Sequence, residues 1–170
     1  MKWVSHKIVS FSVVYFLTSD LVASVLTGAG AVLPDLLEGK DFHTKAWQKT
    51  HRTITHWFLG WLILVFSFLS YFYFRFHNFP WAFDGVKLYQ FFLSGRFFHS
   101  QIFSELAVCF FGFYLSLGGL LHIIEDAMSA SVPLFNPFHR SFRLAGIRVG
   151  SFEEALIVLL FIFLFLFKFF

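Results

Sequence analysis

The sequence is poor in charge, has a single cysteine, and lacks low-complexity tails and Gly/Ser-rich linkers. Asp, Glu, Lys and Arg make up only 14% of its 170 residues, and the formal net charge is +3. A charge this small and dispersed does not indicate a nucleic-acid surface, so we expect no nucleic-acid partner. Because Cys109 is the only cysteine, the chain can form neither an internal disulfide nor a zinc site built on a cysteine pair.

Apolar residues are abundant. They account for 58% of the sequence, and Phe alone occurs 29 times. A packed water-soluble core does not need so many Phe side chains, so we expect the excess to face lipid. The length suits one domain, which we place at residues 1–170. The composition therefore predicts an all-α, polytopic membrane protein whose main partner is the lipid bilayer.

Three apolar runs are long enough to cross a bilayer. They cover residues 57–76, 102–124 and 152–170. Residues 77–101 are aromatic but interrupted by charge, Gly and Pro, which predicts a connection lying in the interface, with room for a short amphipathic helix. Residues 127–151 are predicted to form a loop.

The first apolar stretch, residues 8–33, is interrupted by Asp20 and has three interpretations. It resembles a signal peptide with a cleavage site near Ala29-Gly30-Ala31. It could be one spanning helix, with Asp20 at a costly depth near mid-membrane. It could instead be a helical hairpin of segments 8–17 and 21–33. The sequence thus predicts about three spans plus either this hairpin or a fourth span.

The positive charges favour the hairpin. With a hairpin, nine basic residues lie on the side that carries the His and Asp residues described below, and four lie on the opposite side. With a single span, that side has seven basic residues and the opposite side has six. By the positive-inside rule, we expect the nine-residue side to face the cytoplasm. The nine are Lys2, Lys7, Lys40, Lys45, Lys49, Arg52, Arg140, Arg143 and Arg148, and the four are Arg75, Lys87, Arg96 and Lys168.

His122 and Asp126 are the clearest functional signal. They are four residues apart, so they lie one turn apart on the same face of a helix, where they can hold a metal ion together. The plain alternative is a core histidine beside an acidic helix end. The predicted topology brings further His and Asp residues to this side: Asp35, His51 and His56, joined by His6 if the first stretch is a hairpin.

These six residues predict a hydrolytic site for a divalent metal, most simply zinc, with one or two ions. Each also has a plain role: Asp35 could cap a helix, and His6 could be an ordinary interfacial residue. His51 and His56 are five residues apart, about 140° around a helix, so they cannot both bind one ion from a continuous helix.

Three further residues are candidates for catalysis. Arg52 could neutralise a substrate phosphate or bind lipid headgroups. Glu125 or Glu38 could act as general base. The alternative for Glu125, which lies about 100° around the helix from Asp126, is that it simply faces water.

The order and spacing of these residues resemble a known family. Val32-Leu33-Pro34-Asp35, His51-Arg52-x-x-Thr55-His56 and Gly119-x-x-His122-x-x-x-Asp126 are similar to motifs of the LexA-regulated, inner-membrane-associated metal-dependent hydrolases (the YdjM-like family). The resemblance implies inner-membrane localisation and a metal site that includes His6. The sequence departs from the family where a second acid is expected, because Leu37 stands there with Glu38 beside it.

More distantly, the order of ligands is similar to that of zinc-dependent phospholipases C and single-strand zinc nucleases. This similarity implies phosphoester chemistry on a small molecule or lipid. The hypothesis is therefore a membrane-bound, metal-dependent hydrolase. The alternatives are a non-catalytic membrane protein with a structural metal, and a haem protein with histidines as axial ligands.

Overall fold

The computed structural model describes residues 2–39, 53–76, 90 and 101–169, with only the backbone at 101–103. His51, Arg52 and nearly all of the predicted interfacial connection at 77–101 lie outside the described residues. The elements in chain order are helices α1 (Trp3–Thr18), α2 (Leu21–Gly30) and α3 (Leu33–Glu38), a 3-10 turn (Ile54–His56), helices α4 (Phe58–Phe76) and α5 (Gln101–Ser129), strands β1 (Val132–Pro133) and β2 (Arg140–Phe142), and helix α6 (Phe152–Phe169).

Three of these segments are long and apolar enough to span a membrane. They are Leu21–Glu38, which covers α2 and α3, Phe58–Phe76 and Ser104–Ser129. Helix α6 was predicted to span as well, but it is not among these segments, since it carries Glu153, Glu154 and Lys168 at its two ends. The prediction of an all-α membrane protein with about three spans and an N-terminal hairpin is confirmed.

The first apolar stretch is a hairpin, which is the interpretation that the positive charges favoured over one long spanning helix. Ser19 adopts a left-handed conformation with a φ of 57°, which ends α1. Asp20 then starts α2 by accepting a hydrogen bond from the backbone N–H of Ala23 at 3.0 Å. The two helices pack closely, because a Cβ on Gly28 would lie 3.3 Å from the carbonyl oxygen of Lys7.

The segment after α5 is more ordered than the predicted loop. Strands β1 and β2 form an antiparallel ribbon that pairs Val132 with Phe142. The chain then returns over the end of α5, where the N–H of Leu144 bonds the carbonyl of Ala127 at 2.8 Å and that of Ile147 bonds Met128 at 3.1 Å. These bonds satisfy carbonyl groups that a helix end leaves free, which explains why this segment folds against the helix.

Two adjacent glycines allow α5 to contact its neighbours closely. A Cβ on Gly118 would overlap the carbonyl oxygen of Thr27 in α2, and a Cβ on Gly119 would overlap the ring of Trp61 in α4. Small residues of this kind let membrane helices approach until their backbones touch. Gly118 and Gly119 lie one turn before His122, so this close packing lies directly beneath the His and Asp residues.

This packing predicts that Gly118→Ala destabilises the protein. The new methyl group would meet backbone, which cannot rotate away, so we expect a loss of about 1–3 kcal/mol and a lower melting temperature in detergent. Gly146→Ala is the matched control, because its nearest neighbour is the flexible end of Arg143 at 3.4 Å; we expect a change within about 0.5 kcal/mol. Equal melting temperatures for both variants would contradict the proposed close contact.

Candidate metal centre

Five of the residues predicted as metal ligands meet at one end of the bundle. His6 lies near the start of α1, Asp35 in α3, His56 in the 3-10 turn, and His122 and Asp126 near the end of α5. All five are buried; the most exposed is Asp35, at 6%. The hairpin brings His6 here, as the sequence predicted, because α1 begins at the end of the bundle where α5 finishes.

Local structure explains how His56 reaches the cluster. It belongs to a 3-10 turn that precedes α4, and Trp57 follows in an extended conformation. The indole N–H of Trp61 donates a 2.6 Å hydrogen bond to the carbonyl of Thr55, which fixes the turn against the helix. His56 therefore does not lie on the continuous helix for which the 140° separation from His51 was calculated.

The tightest part of the cluster is formed by Asp35, His56 and His122. The two histidine Nε2 atoms are 3.2 Å apart. Oδ1 of Asp35 lies 3.2 Å from Nε2 of His56 and 3.7 Å from Nε2 of His122. Ligands bound tetrahedrally at the usual zinc–nitrogen distance are roughly 3.4 Å from one another, so these three atoms already have the spacing of a metal-binding triad.

Asp126 connects this triad to His6. Its Oδ2 lies 3.7 Å from Nε2 of His56 and 3.9 Å from Nε2 of His122. Its other oxygen, Oδ1, lies 3.4 Å from Nε2 of His6. His6, His122 and Asp126 form a second group that could hold an ion, and it shares His122 with the first. The Asp126 carboxylate thus presents one oxygen to each side, as a bridging ligand would.

The charge of the cluster favours a bound cation. Among the described residues, the four acidic groups Asp35, Glu38, Glu125 and Asp126 surround three imidazoles, so acidic groups outnumber basic ones. Burial lowers the pKa of His56, but hydrogen bonds to Asp35 and Glu38 and the charge of Asp126 outweigh it and raise that pKa above its ordinary value. The cluster therefore attracts positive charge, and its imidazole and carboxylate groups suit a divalent metal such as zinc.

Two glutamates form an outer layer. Oε1 of Glu38 lies 3.1 Å from Nδ1 of His56, and Oε2 of Glu125 lies 2.7 Å from Nδ1 of His6. Glu125 is 4% exposed, so it does not face water, the alternative considered from the sequence. His122 differs from the other two histidines, because its buried Nδ1 has no hydrogen-bond partner among the residues that the structure describes.

Two hydroxyl groups that contact these glutamates were not predicted from the sequence. Ser10 donates to Oε1 of Glu125 at 2.8 Å, and Thr55 donates to Oε1 of Glu38 at 2.8 Å. A signal existed for Ser10, since it lies four residues after His6 and so shares its helix face. The predicted roles of His51 and Arg52 fall outside the described part of the chain and stay predictions.

Fold and cluster together define a helical membrane protein with buried His/Asp groups that could bind a metal. A family model described as YdjM inner membrane protein matches residues 1–170, and the chain belongs to this family. This confirms the resemblance drawn from the motifs and supports location in the inner membrane. No curated protein and no solved structure matches the chain, so the more distant similarity to zinc phospholipases and nucleases gains no support from them.

Proposed function

We propose that this protein is a membrane-bound, metal-dependent hydrolase. The observation that carries the proposal is the triad of Asp35, His56 and His122, whose ligand atoms lie 3.2–3.7 Å apart in a buried cluster rich in carboxyl groups. A divalent metal held there would supply an activated water and polarise the oxygen of the bond to be cleaved. Zinc sites with three protein ligands keep the fourth position for water or substrate, which is the arrangement of catalytic rather than structural sites.

The residues of the chain have separate tasks in this proposal. Asp35, His56 and His122 would hold the ion. Asp126 extends the site toward His6, and these two residues would help to hold a second ion if one binds. Arg52 remains the candidate for neutralising a substrate phosphate. We propose a phosphoester as the substrate, on the basis of the ligand order in the sequence.

Two other functions remain as alternatives. In the first, the metal is structural and joins α1, α3 and α5 without catalysis; the burial of all five candidate ligands favours this option. In the second, His56 and His122 are axial ligands of a haem. Their Nε2 atoms are only 3.2 Å apart, which leaves no room for a porphyrin plane between them, and so argues against haem.

Hydrolysis of phosphodiesters and phospholipids by the reconstituted, zinc-loaded protein tests the enzymatic proposal. Asp126→Ala should lower kcat/KM by more than about 100-fold, since loss of a second-layer group alone typically costs 10–100-fold. His139→Ala is the control: His139 is exposed, beyond β1, and should leave the rate unchanged. A protein that binds zinc stoichiometrically but hydrolyses none of these substrates would favour the structural alternative.

We also propose that the cluster faces the cytoplasm. The contacts of His6 with Glu125 place Lys2 and Lys7 at the same end as the cluster, which supports the nine-to-four division of positive charge. At the other end of the bundle, Lys168 lies over the ring of Phe16, 5.7 Å from its centroid.

Labelling with a membrane-impermeant maleimide tests this orientation in a Cys109→Ser background. Phe138→Cys probes the ribbon beside the cluster, where the side chain is 76% exposed; Lys168→Cys probes the opposite end. In right-side-out vesicles we expect labelling of the Lys168→Cys variant alone, and in inside-out vesicles labelling of the Phe138→Cys variant alone. The reverse pattern would place the cluster on the outer face.

A further inference from the structure

Two of the three histidines in the cluster, His6 and His56, each contact a glutamate through the Nδ1 atom. Oε2 of Glu125 lies 2.7 Å from Nδ1 of His6, and Oε1 of Glu38 lies 3.1 Å from Nδ1 of His56. In both histidines, Nε2 faces the aspartates instead. The same arrangement thus occurs at two separate histidines. In each, a glutamate contacts Nδ1, and the proposed metal position lies on the opposite, Nε2 side of the ring.

A carboxylate at Nδ1 determines which ring nitrogen can bind a metal. It accepts the Nδ1–H hydrogen bond, so the lone pair of the neutral imidazole is placed on Nε2. It also fixes the ring plane and makes Nε2 a stronger ligand. For His6 and His56, the nitrogen selected in this way is the one that points to Asp126 and Asp35, where the ion is proposed to bind.

The glutamates are themselves held in place. Ser10 donates to Oε1 of Glu125 at 2.8 Å, so that both oxygens of Glu125 are engaged. Thr55 donates to the same oxygen of Glu38 that contacts His56. Glu125 therefore has its two oxygens turned to His6 and Ser10, with the His6 ring between it and Asp126. This geometry differs from that of a general base, which needs an oxygen within reach of the attacking water.

We propose that Glu125 and Glu38 are positioning residues, which orient His6 and His56 for metal binding. This inference rests on the proposed function, because it assumes that the cluster binds a divalent metal. It assigns Glu125 a role other than the general base suggested from the sequence. It also gives Glu38 a task beside Leu37, the position where the family pattern has its second acid.

The test measures zinc affinity by competition with a chelator, and the visible absorption of the Co²⁺-loaded protein. Glu125→Ala should weaken zinc binding by about 10–100-fold and alter the Co²⁺ spectrum. Glu125→Gln should recover part of the affinity, since its amide oxygen can still accept from Nδ1–H. Ser10→Ala should weaken binding less, and Glu38→Ala should act through His56 as Glu125→Ala acts through His6.

Glu153→Gln is the matched control, because Glu153 is exposed in the first turn of α6 and should leave affinity and spectrum unchanged. Circular dichroism of each metal-free variant distinguishes a loss of metal affinity from a loss of folded structure. If Glu125→Ala does not fold, the zinc affinities of Ser10→Ala and Glu125→Gln test the inference instead. Parent-like affinity and spectrum in folded glutamate variants would overturn the inference and leave the proposed metal site intact. A parent protein that binds neither Zn²⁺ nor Co²⁺ would overturn both.

Discussion

The structure depends on how four buried or nearly buried carboxylates are compensated at one end of an apolar bundle. In a protein with so little charge, Asp35, Glu38, Glu125 and Asp126 converge on three histidines. Removing one partner of a buried ion pair typically costs about 3–5 kcal/mol, so each group in such a cluster restricts what its neighbours can be. Either protons on the imidazoles or a divalent cation bound by the neutral imidazoles would offset this negative charge. This excess of acidic groups favours a bound cation, independently of any family resemblance.

The helices are arranged so that this cluster can form. Gly118 and Gly119 let α2 and α4 touch α5 just beneath His122, so three helices reach the site with little space between them. A separate contact secures α1, which carries His6: Glu154 at the start of α6 accepts hydrogen bonds from Ser5 and from the backbone N–H of Lys2. Ser5 adjoins His6, so the N-terminal end of α6 supports the histidine that lies farthest from the central triad.

Much of this arrangement could be predicted from the sequence, for identifiable reasons. The hairpin was favoured because Asp20 would be costly at mid-membrane and because the hairpin collects the positive charges on one side. The four-residue spacing of His122 and Asp126 predicted their shared helix face. The features that could not be predicted depend on tertiary contacts. The 3-10 turn that carries His56 is held by a hydrogen bond from Trp61. The segment after α5 folds back because its N–H groups bond carbonyl groups that the helix end leaves without partners. The orientation of Glu125 toward His6 likewise depends on how α1 packs against α5, which spacing along one helix cannot give.

Elemental analysis of the detergent-purified protein beside a His122→Ala/Asp126→Ala double variant tests the central claim most directly. His122 belongs to both possible metal groups, and Asp126 contacts the histidines of each. The account predicts one or two equivalents of a transition metal in the parent, and a sharp fall in a variant that keeps its helical circular dichroism spectrum. Absence of metal from both proteins, with no binding of added zinc by the parent, would contradict it and leave the cluster as a polar contact between helices.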